Sequence, residues 1–432
     1  MNTEINSIET QSNWKKTFFI VWIGQAFSLL GSSLVSFALV WWMTKTTGSA
    51  VILTTATLVA LIPEALLSPF AGAIVDRMNR KKVMVLADVG IALATLLLGI
   101  LFWLNVVQVW HVFILLFIRS LGGIFHWPAM SASTSLMVPE KELARISGLN
   151  QTIRGALNIF GPPLGALCLE IMPLFGVLFI DIGTAALAVT ALLFVTIPQP
   201  KMMKIAQSIT PRQLAKDVGE GFKYLYKWSG LFALLVGASF INFFLIPTDS
   251  LMPLLVTEHF HGQAWHLSLL QALFGIGAVA GGLILTTWGG FKRRIWTSYM
   301  GVIGISAGTL VMALAPEPWF IIAVIGGAIV GISLPLANGP LSAIVQSKVA
   351  PEMQGRVFST MSSMATFLMV PAMLIAGPIA DSLGVRSCYF IGAAGCFLIV
   401  AILGLMPAVR NIEENHIATQ EESAKLLEDA IV

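Results

Sequence analysis

An all-α membrane protein with twelve transmembrane helices is the fold class this sequence predicts, on three observations. Of 432 residues 56% are apolar and only 11% charged, with mean hydropathy +0.85, whereas a soluble domain coats itself with roughly 25% charged residues. Twelve apolar stretches reach the ~20 residues a helix needs to cross a ~30 Å hydrocarbon core. Lys and Arg collect on one side of those stretches, the asymmetry of an oriented multi-span chain.

In chain order the stretches run 17–43, 50–75, 83–105, 110–137, 145–170, 174–197, 229–256, 266–288, 295–315, 319–347, 354–380 and 386–408. Residues 1–16 form an N-terminal tail whose first 13 positions hold acids and no base, so the first span itself is expected to act as the targeting signal. With that tail inside, the inner connections hold Lys15 and Lys16, the run Arg77, Arg80, Lys81 and Lys82, six bases between Lys201 and Lys227, and Lys292 to Arg294. In all, 21 of 25 basic residues fall inside; Lys45 and Arg386 fall outside, and Arg119 and Arg154 lie within spans. Both termini are therefore expected on the cytoplasmic face.

A connection at 198–228 divides a first bundle (17–197) from a second (229–408), and 409–432 forms a C-terminal tail. Within it Leu214, Val218, Phe222 and Leu225 make an apolar stripe, with Arg212, Lys216, Lys223 and Lys227 on another face. This pattern fits a helix lying on the inner leaflet or a solvated linker.

The halves echo each other at a shift of about 210 residues: Trp14 with Trp228, Gly72 with Gly282, Pro139-Glu140 with Pro351-Glu352, Arg145 with Arg356, Gly161-Pro162 with Gly377-Pro378. A parallel repeat of two six-span bundles is a transporter architecture with its substrate path near the midplane. An anchor has no need of one.

Composition excludes other classes. A net charge of +3 supplies no basic field for nucleic acid. Cys168, Cys388 and Cys396 form no CxxC and fall in apolar stretches, as small buried hydrophobes do. No Gly-Lys dipeptide occurs, so no phosphate-cradling P-loop exists to bind ATP. His259, His261 and His266 are loosely spaced in an outer loop, a poor pattern for a metal; neither metal nor organic cofactor is expected.

The intramembrane charges are the chemical signal, because an isolated ion in lipid must pair or take up a proton. Glu64, Asp88, Arg119, Arg154 and Asp181 belong to the first half and Asp249 alone to the second. Coupling chemistry is therefore expected in the first bundle, with the second as a largely neutral wall. Arg119 sits about nine residues inside its span, roughly 14 Å deep, and must face an acid or carbonyls. A carboxylate that alternates between a proton and Arg119 is the minimal antiport switch, and Glu64, also near mid-depth, is the first candidate; Asp88 and Asp181 lie nearer opposite faces. Permanent ion pairs that lock the bundle are the alternative. His126 lies on the same helical face as Arg119, as a structural histidine or a proton carrier.

Three motifs carry a family resemblance. Gly72-Ala73-Ile74-Val75-Asp76-Arg77-Met78-Asn79-Arg80-Lys81-Lys82 resembles the loop signature of the major facilitator superfamily, with Asn79 where that family usually has Gly, both tolerant of left-handed backbone. The resemblance implies that Gly72, Asp76, Arg77 and Arg80 belong to a gate-side network joining the two bundles. Its second-half counterpart puts Thr286 where Asp76 would align. Arg119 to Pro128 resembles the superfamily's fourth-span arginine motif, associated with proton coupling, with Gly122 for its usual polar residue. Gly161-Pro162-Pro163-Leu164-Gly165 resembles the antiporter glycine-proline motif and is also a GxxxG pair for close helix approach; Gly277/Gly281 and Gly327/Gly331 repeat that spacing.

Further stretches resemble the bacterial macrolide-efflux branch of that superfamily: Trp14 to Ser28, Thr47-Gly48-Ser49-Ala50, Leu116 to Ser120, Gly230 to Leu235, Glu258-His259-Phe260 and Gly355 to Ser359. This branch is also similar to siderophore exporters. The resemblance implies a monomeric, multi-pass transporter of the bacterial inner membrane that exports an amphipathic small molecule of macrolide type against protons, with membrane lipid around it. The 18 Met and 26 Phe suit an adaptable apolar lining; cavity candidates are Trp127, Asn158, Asn242, Gln271, Asn338, Met361, Ser362 and Met364. The rival readings are a siderophore or metabolite exporter, a non-transporting receptor, and a lipid-modifying membrane enzyme.

Overall fold

The computed structural model describes residues 2–75, 77–199, 226, 228–349 and 351–413; the side chains of 2–13, 69, 73, 351–356, 358, 359 and 362 lie outside that description. The sequence-predicted stripe Leu214, Val218, Phe222 and Leu225 and the tail beyond Glu413 also lie outside it, as does Asp76.

Among the described residues the structure is helical throughout, in twelve long helices: α1 (Asn2–Thr47), α2 (Ala50–Val75), α3 (Arg80–Trp103), α4 (Val109–Met137), α5 (Glu140–Ile171), α6 (Leu174–Phe194), α7 (Ser229–Ser250), α8 (Ala264–Trp288), α9 (Arg294–Leu314), α10 (Phe320–Lys348), α11 (Pro351–Leu383) and α12 (Val385–Leu405). Eleven are long and apolar enough to cross a membrane. The twelfth, α5, is long enough at 32 residues, but Arg145, Asn150, Gln151, Arg154 and Asn158 lower its hydropathy. It is polar for a reason visible below.

Helix ends are set by local chemistry. Asn79 is not left-handed: at φ −68° and ψ 109° it is the extended N-cap of α3, its Oδ1 accepting from Lys82 N at 3.1 Å. The Asn-for-Gly reading of the loop motif therefore changes, since Asn79 serves here through its side-chain cap and not through a left-handed backbone. His111 Nδ1 accepts from Gln108 N and His266 Nδ1 from Gln263 N, both at 2.9 Å, so α4 and α8 open with the same Gln-x-x-His device.

The chain forms two compact units, Met1–Thr46 with Leu58–Ser208, and Thr47–Thr57 with Ile209–Val432. The first turns of α2 fall in the second unit because Asp381, near the end of α11, accepts from Ser49 Oγ, Ala50 N and Val51 N at 3.0, 2.6 and 3.3 Å. A carboxylate there satisfies amides that a helix start leaves unpaired.

In the first unit Phe18, Val21, Val75, Met84, Met130, Met137 and Leu192 pack into one buried cluster. On α5, a Cβ at Gly165 would meet Phe37 Cδ1 at 2.9 Å, and one at Gly161 would strike Ser33; these glycines let α5 lie against α1. In the second unit Leu231, Leu235, Ile295, Tyr299, Ile344 and Cys396 form the corresponding core. There α8 and α10 touch backbone to backbone: Gly277 and Gly281 face Ala328 and Ile332, and Gly331 faces Phe274. Lipid offers no hydrophobic drive for helix association, so close packing through small residues supplies the attraction.

Candidate functional site

The polar interior of the first unit has two parts. In the first, Arg119 of α4 donates from Nη1 to Asp181 Oδ2 of α6 at 2.8 Å, with side chains 12% and 3% exposed. Ser32 Oγ donates to Asp181 Oδ1 at 3.2 Å, Thr95 Oγ1 approaches Oδ2 at 3.5 Å, and Arg119 Nη2 reaches Ser32 O at 3.3 Å. Four helices thus converge on one ion pair.

The expected partner of Arg119 is corrected by this geometry. Glu64 on α2 is exposed and forms no ion pair with a described residue. Similar depth in two helices does not fix which way each side chain turns. Ser120, the next residue on α4, is the one that faces α2, its Oγ donating to Ala60 O at 2.6 Å; Arg119, about 100° further round the helix, faces α1 and α6.

The second part is a cavity of about 520 Å³ lined by Trp22, Gln25, His126, Trp127, Asn150 and Arg154 among others. Asp88, 6% exposed, accepts from Gln25 Nε2 at 3.0 Å. His126 Nε2 stands 3.3 Å from Asp88 Oδ1 without hydrogen-bond alignment, and is otherwise unpartnered among the described residues. The Arg154 guanidinium lies 3.6 Å over the Trp127 ring, and Trp22 Nε1 donates to Asn150 Oδ1 at 2.8 Å. The polar face of α5 is therefore one wall of this cavity. The wall of this cavity thus brings together a carboxylate, an imidazole and a guanidinium stacked on an indole, and among the described residues no acid pairs with Arg154.

The gate-loop residues fall elsewhere. Arg80 is buried, its Nη1 donating to Ala132 O at 2.8 Å and its backbone N to Gln199 Oε1 at 3.1 Å, so it ties the start of α3 to α4 within the first unit. Arg77 is exposed and Gly72 half-buried.

Of the cavity candidates, Trp127 lines the first-unit cavity; Asn242 and Asn338 line a small cavity of about 80 Å³ in the second unit. Met361 packs beside the second-unit core, Asn158 is exposed, Gln271 and Met364 are half-buried, and the Ser362 side chain lies outside the described residues. Charge counting missed Gln25, Ser32 and Thr95, because neutral polar residues in an apolar span carry no charge signal. An amide or hydroxyl turned inward from α1 or α3 is the mark that finds them.

His259 Nε2 contacts Ala315 O at 2.8 Å, and no cluster of three metal-ligating side chains occurs among the described residues. Gly304-Ile305-Ser306-Ala307-Gly308 has the GxSxG spacing, but Ser306 is buried within α9 and donates to Val302 O at 2.9 Å. A nucleophile elbow instead exposes its serine at a strand-to-helix turn.

Comparison with known proteins agrees with the architecture. The family model described as Major Facilitator Superfamily matches residues 21–368. Macrolide efflux protein A of Streptococcus pyogenes is 34% identical over 407 residues, covering 94% of this chain and 99% of that protein; the protein of the same description from Enterococcus faecalis is 35% identical over 322 residues, covering 74% and 98%. Among solved structures, the nucleoside transporter NupG superposes with a TM-score of 0.72 at 13% identity, over 90% of this chain and 99% of that one.

Proposed function

We propose, from the premise that this chain belongs to the major facilitator superfamily and is a multi-pass membrane transporter rather than an enzyme, that it exports an amphipathic small molecule of macrolide type in exchange for protons. The cargo class follows from similarity to the macrolide efflux proteins along nearly the whole chain. The coupling mechanism is carried by one observation, the ion pair of Arg119 and Asp181 sunk among apolar helices.

In this reading Asp181 takes the part that depth alone suggested for Glu64. Deprotonated Asp181 holds Arg119 and, through Ser32, draws α1, α4 and α6 together. A proton on the carboxylate cancels the attraction; Arg119 then turns to the Ser32 carbonyl, and the helices are free to shift. Asp88 and His126 form a second proton-handling pair at the wall of the cavity, where cargo contacts Trp22, Trp127 and the face of α5. Asp76, Arg77 and Arg80 would stiffen the cytoplasmic ends, with both termini on that side.

Everted membrane vesicles with an acid interior test this. Uptake of a fluorescent macrolide conjugate is expected, with collapse on adding nigericin. Uptake indifferent to nigericin would defeat proton exchange, and uptake of ferric-siderophore ligands but not the macrolide would reassign the cargo.

A further inference from the structure

The second unit contains a cavity of about 310 Å³ lined by Asn242, Leu245, Asp249, Phe274, Val330 and Tyr389 among others. Asp249, on the last turn of α7, lines it; its main-chain carbonyl accepts from Leu251 N, while its carboxylate neither accepts a hydrogen bond from nor pairs with any described residue. Nearby groups able to quiet its charge are engaged elsewhere. The Tyr389 hydroxyl donates to Thr248 O at 2.6 Å, and Arg386 Nε donates to Ala313 O at 2.8 Å with its guanidinium over Phe390.

Comparison of the halves sharpens the point. Helices α4 and α10 are both 29 residues long, α6 and α12 both 21; α10 starts 211 residues after α4, and α12 the same distance after α6. Arg119 then corresponds to Val330, which lines the cavity, and Asp181 to Gly392. The second unit carries an acid at this cavity, and among the described residues no cation pairs with it.

The geometry points to Asp249 as the anchor of an organic-cation subsite, one that binds a protonated or quaternary alkylamine with its alkyl groups against Leu245, Phe274 and Val330. A bare metal ion fits poorly, because hard cations ask for six or more oxygens and this lining is apolar apart from Asp249 and a few neutral polar groups. A volume near ten waters suits a compact ammonium, which needs one counter-charge and aromatic or aliphatic contact. Binding at Asp249 stands apart from the proton-exchange reading; only the assignment of that cation as cargo rests on it.

The test uses the full chain in lipid nanodiscs, with benzyltrimethylammonium as probe and benzyl alcohol as its uncharged comparator, followed by calorimetry. Saturable binding of the ammonium alone is expected, weakened at least about tenfold in Asp249→Asn, equivalent to about 1.4 kcal/mol, and retained in Asp249→Glu. Equal binding by Asp249→Asn, or no saturable binding by the wild type, overturns the proposal. A second readout needs no variant: carbodiimide labelling of Asp249 in the wild-type chain, followed by peptide mass spectrometry, should slow when the ammonium is present. Unprotected labelling overturns it as well. An Arg119→Ala chain should still bind the probe, so failure of the proton switch and failure of this subsite are told apart.

Discussion

At the scale of single residues the decisive contact is Arg119 with Asp181. Removing one member of a buried pair strands the other, at a cost of about 3–5 kcal/mol. Arg119→Ala is therefore expected to abolish nigericin-sensitive uptake and to lower the melting temperature of the purified chain. Asp181→Asn keeps an oxygen for Ser32 and Thr95 to bond but leaves Arg119 without its counter-charge, so it should melt below the wild type and lose its response to the pH gradient. If Asp181→Asn follows the gradient as wild type does, the carboxylate is structural. Glu64→Gln makes the complementary case: with Glu64 turned away from Arg119, its uptake should keep the wild-type response to pH, and a loss of that response would restore Glu64 as the switch. Sequence showed that Arg119 needed an anion but not which one. Depth follows from counting along a helix, whereas azimuth depends on packing, and the Ser120 bond to Ala60 O is what turns Arg119 away from α2.

At the scale of the helix, apolar length located the spans and left their ends and seams to smaller features. The fifth span, 145–170, reads as an apolar stretch like the others, yet its polar face lines a cavity and lowers its hydropathy below theirs. Asn79 was read as a backbone substitute for Gly and proves to be a side-chain cap. Asn79→Ala should accordingly cost about 1 kcal/mol, seen as a lower melting temperature, and Asn79→Ser should recover most of it; an Asn79→Gly chain more stable than wild type would favour the backbone explanation. Glycine spacing was more informative. Gly281 was picked out by its GxxxG register, and a Cβ there would strike the Ile332 carbonyl, an atom that cannot rotate aside. Gly281→Leu should force α8 from α10 and cost about 1–3 kcal/mol or more, measured by melting, whereas Ala at Gly282, which has open space around its Cβ position, should be nearly neutral.

At the scale of the whole molecule, membrane residence and the all-helical fold were legible because they depend on sums over many residues. What the sums could not give is the difference between the halves: an ion pair with its own cation in the first unit, and in the second an acid at a cavity, proposed above to take its cation from a ligand. That difference makes a prediction about charge movement. On the proposed switch, with the one Asp181 carboxylate loading one proton per cycle, a singly charged ammonium leaving in exchange for one proton moves no net charge. In proteoliposomes, uptake of a quaternary ammonium should respond to nigericin, which collapses the pH gradient, and not to a valinomycin-clamped potassium potential. An uncharged cargo should respond to both, since 100 mV acting on one charge is worth about 2.3 kcal/mol, or roughly fiftyfold in accumulation. If the membrane potential drives the ammonium as strongly as the pH gradient does, more than one proton crosses per cycle, and Asp88 with His126 is the pair placed to carry the second.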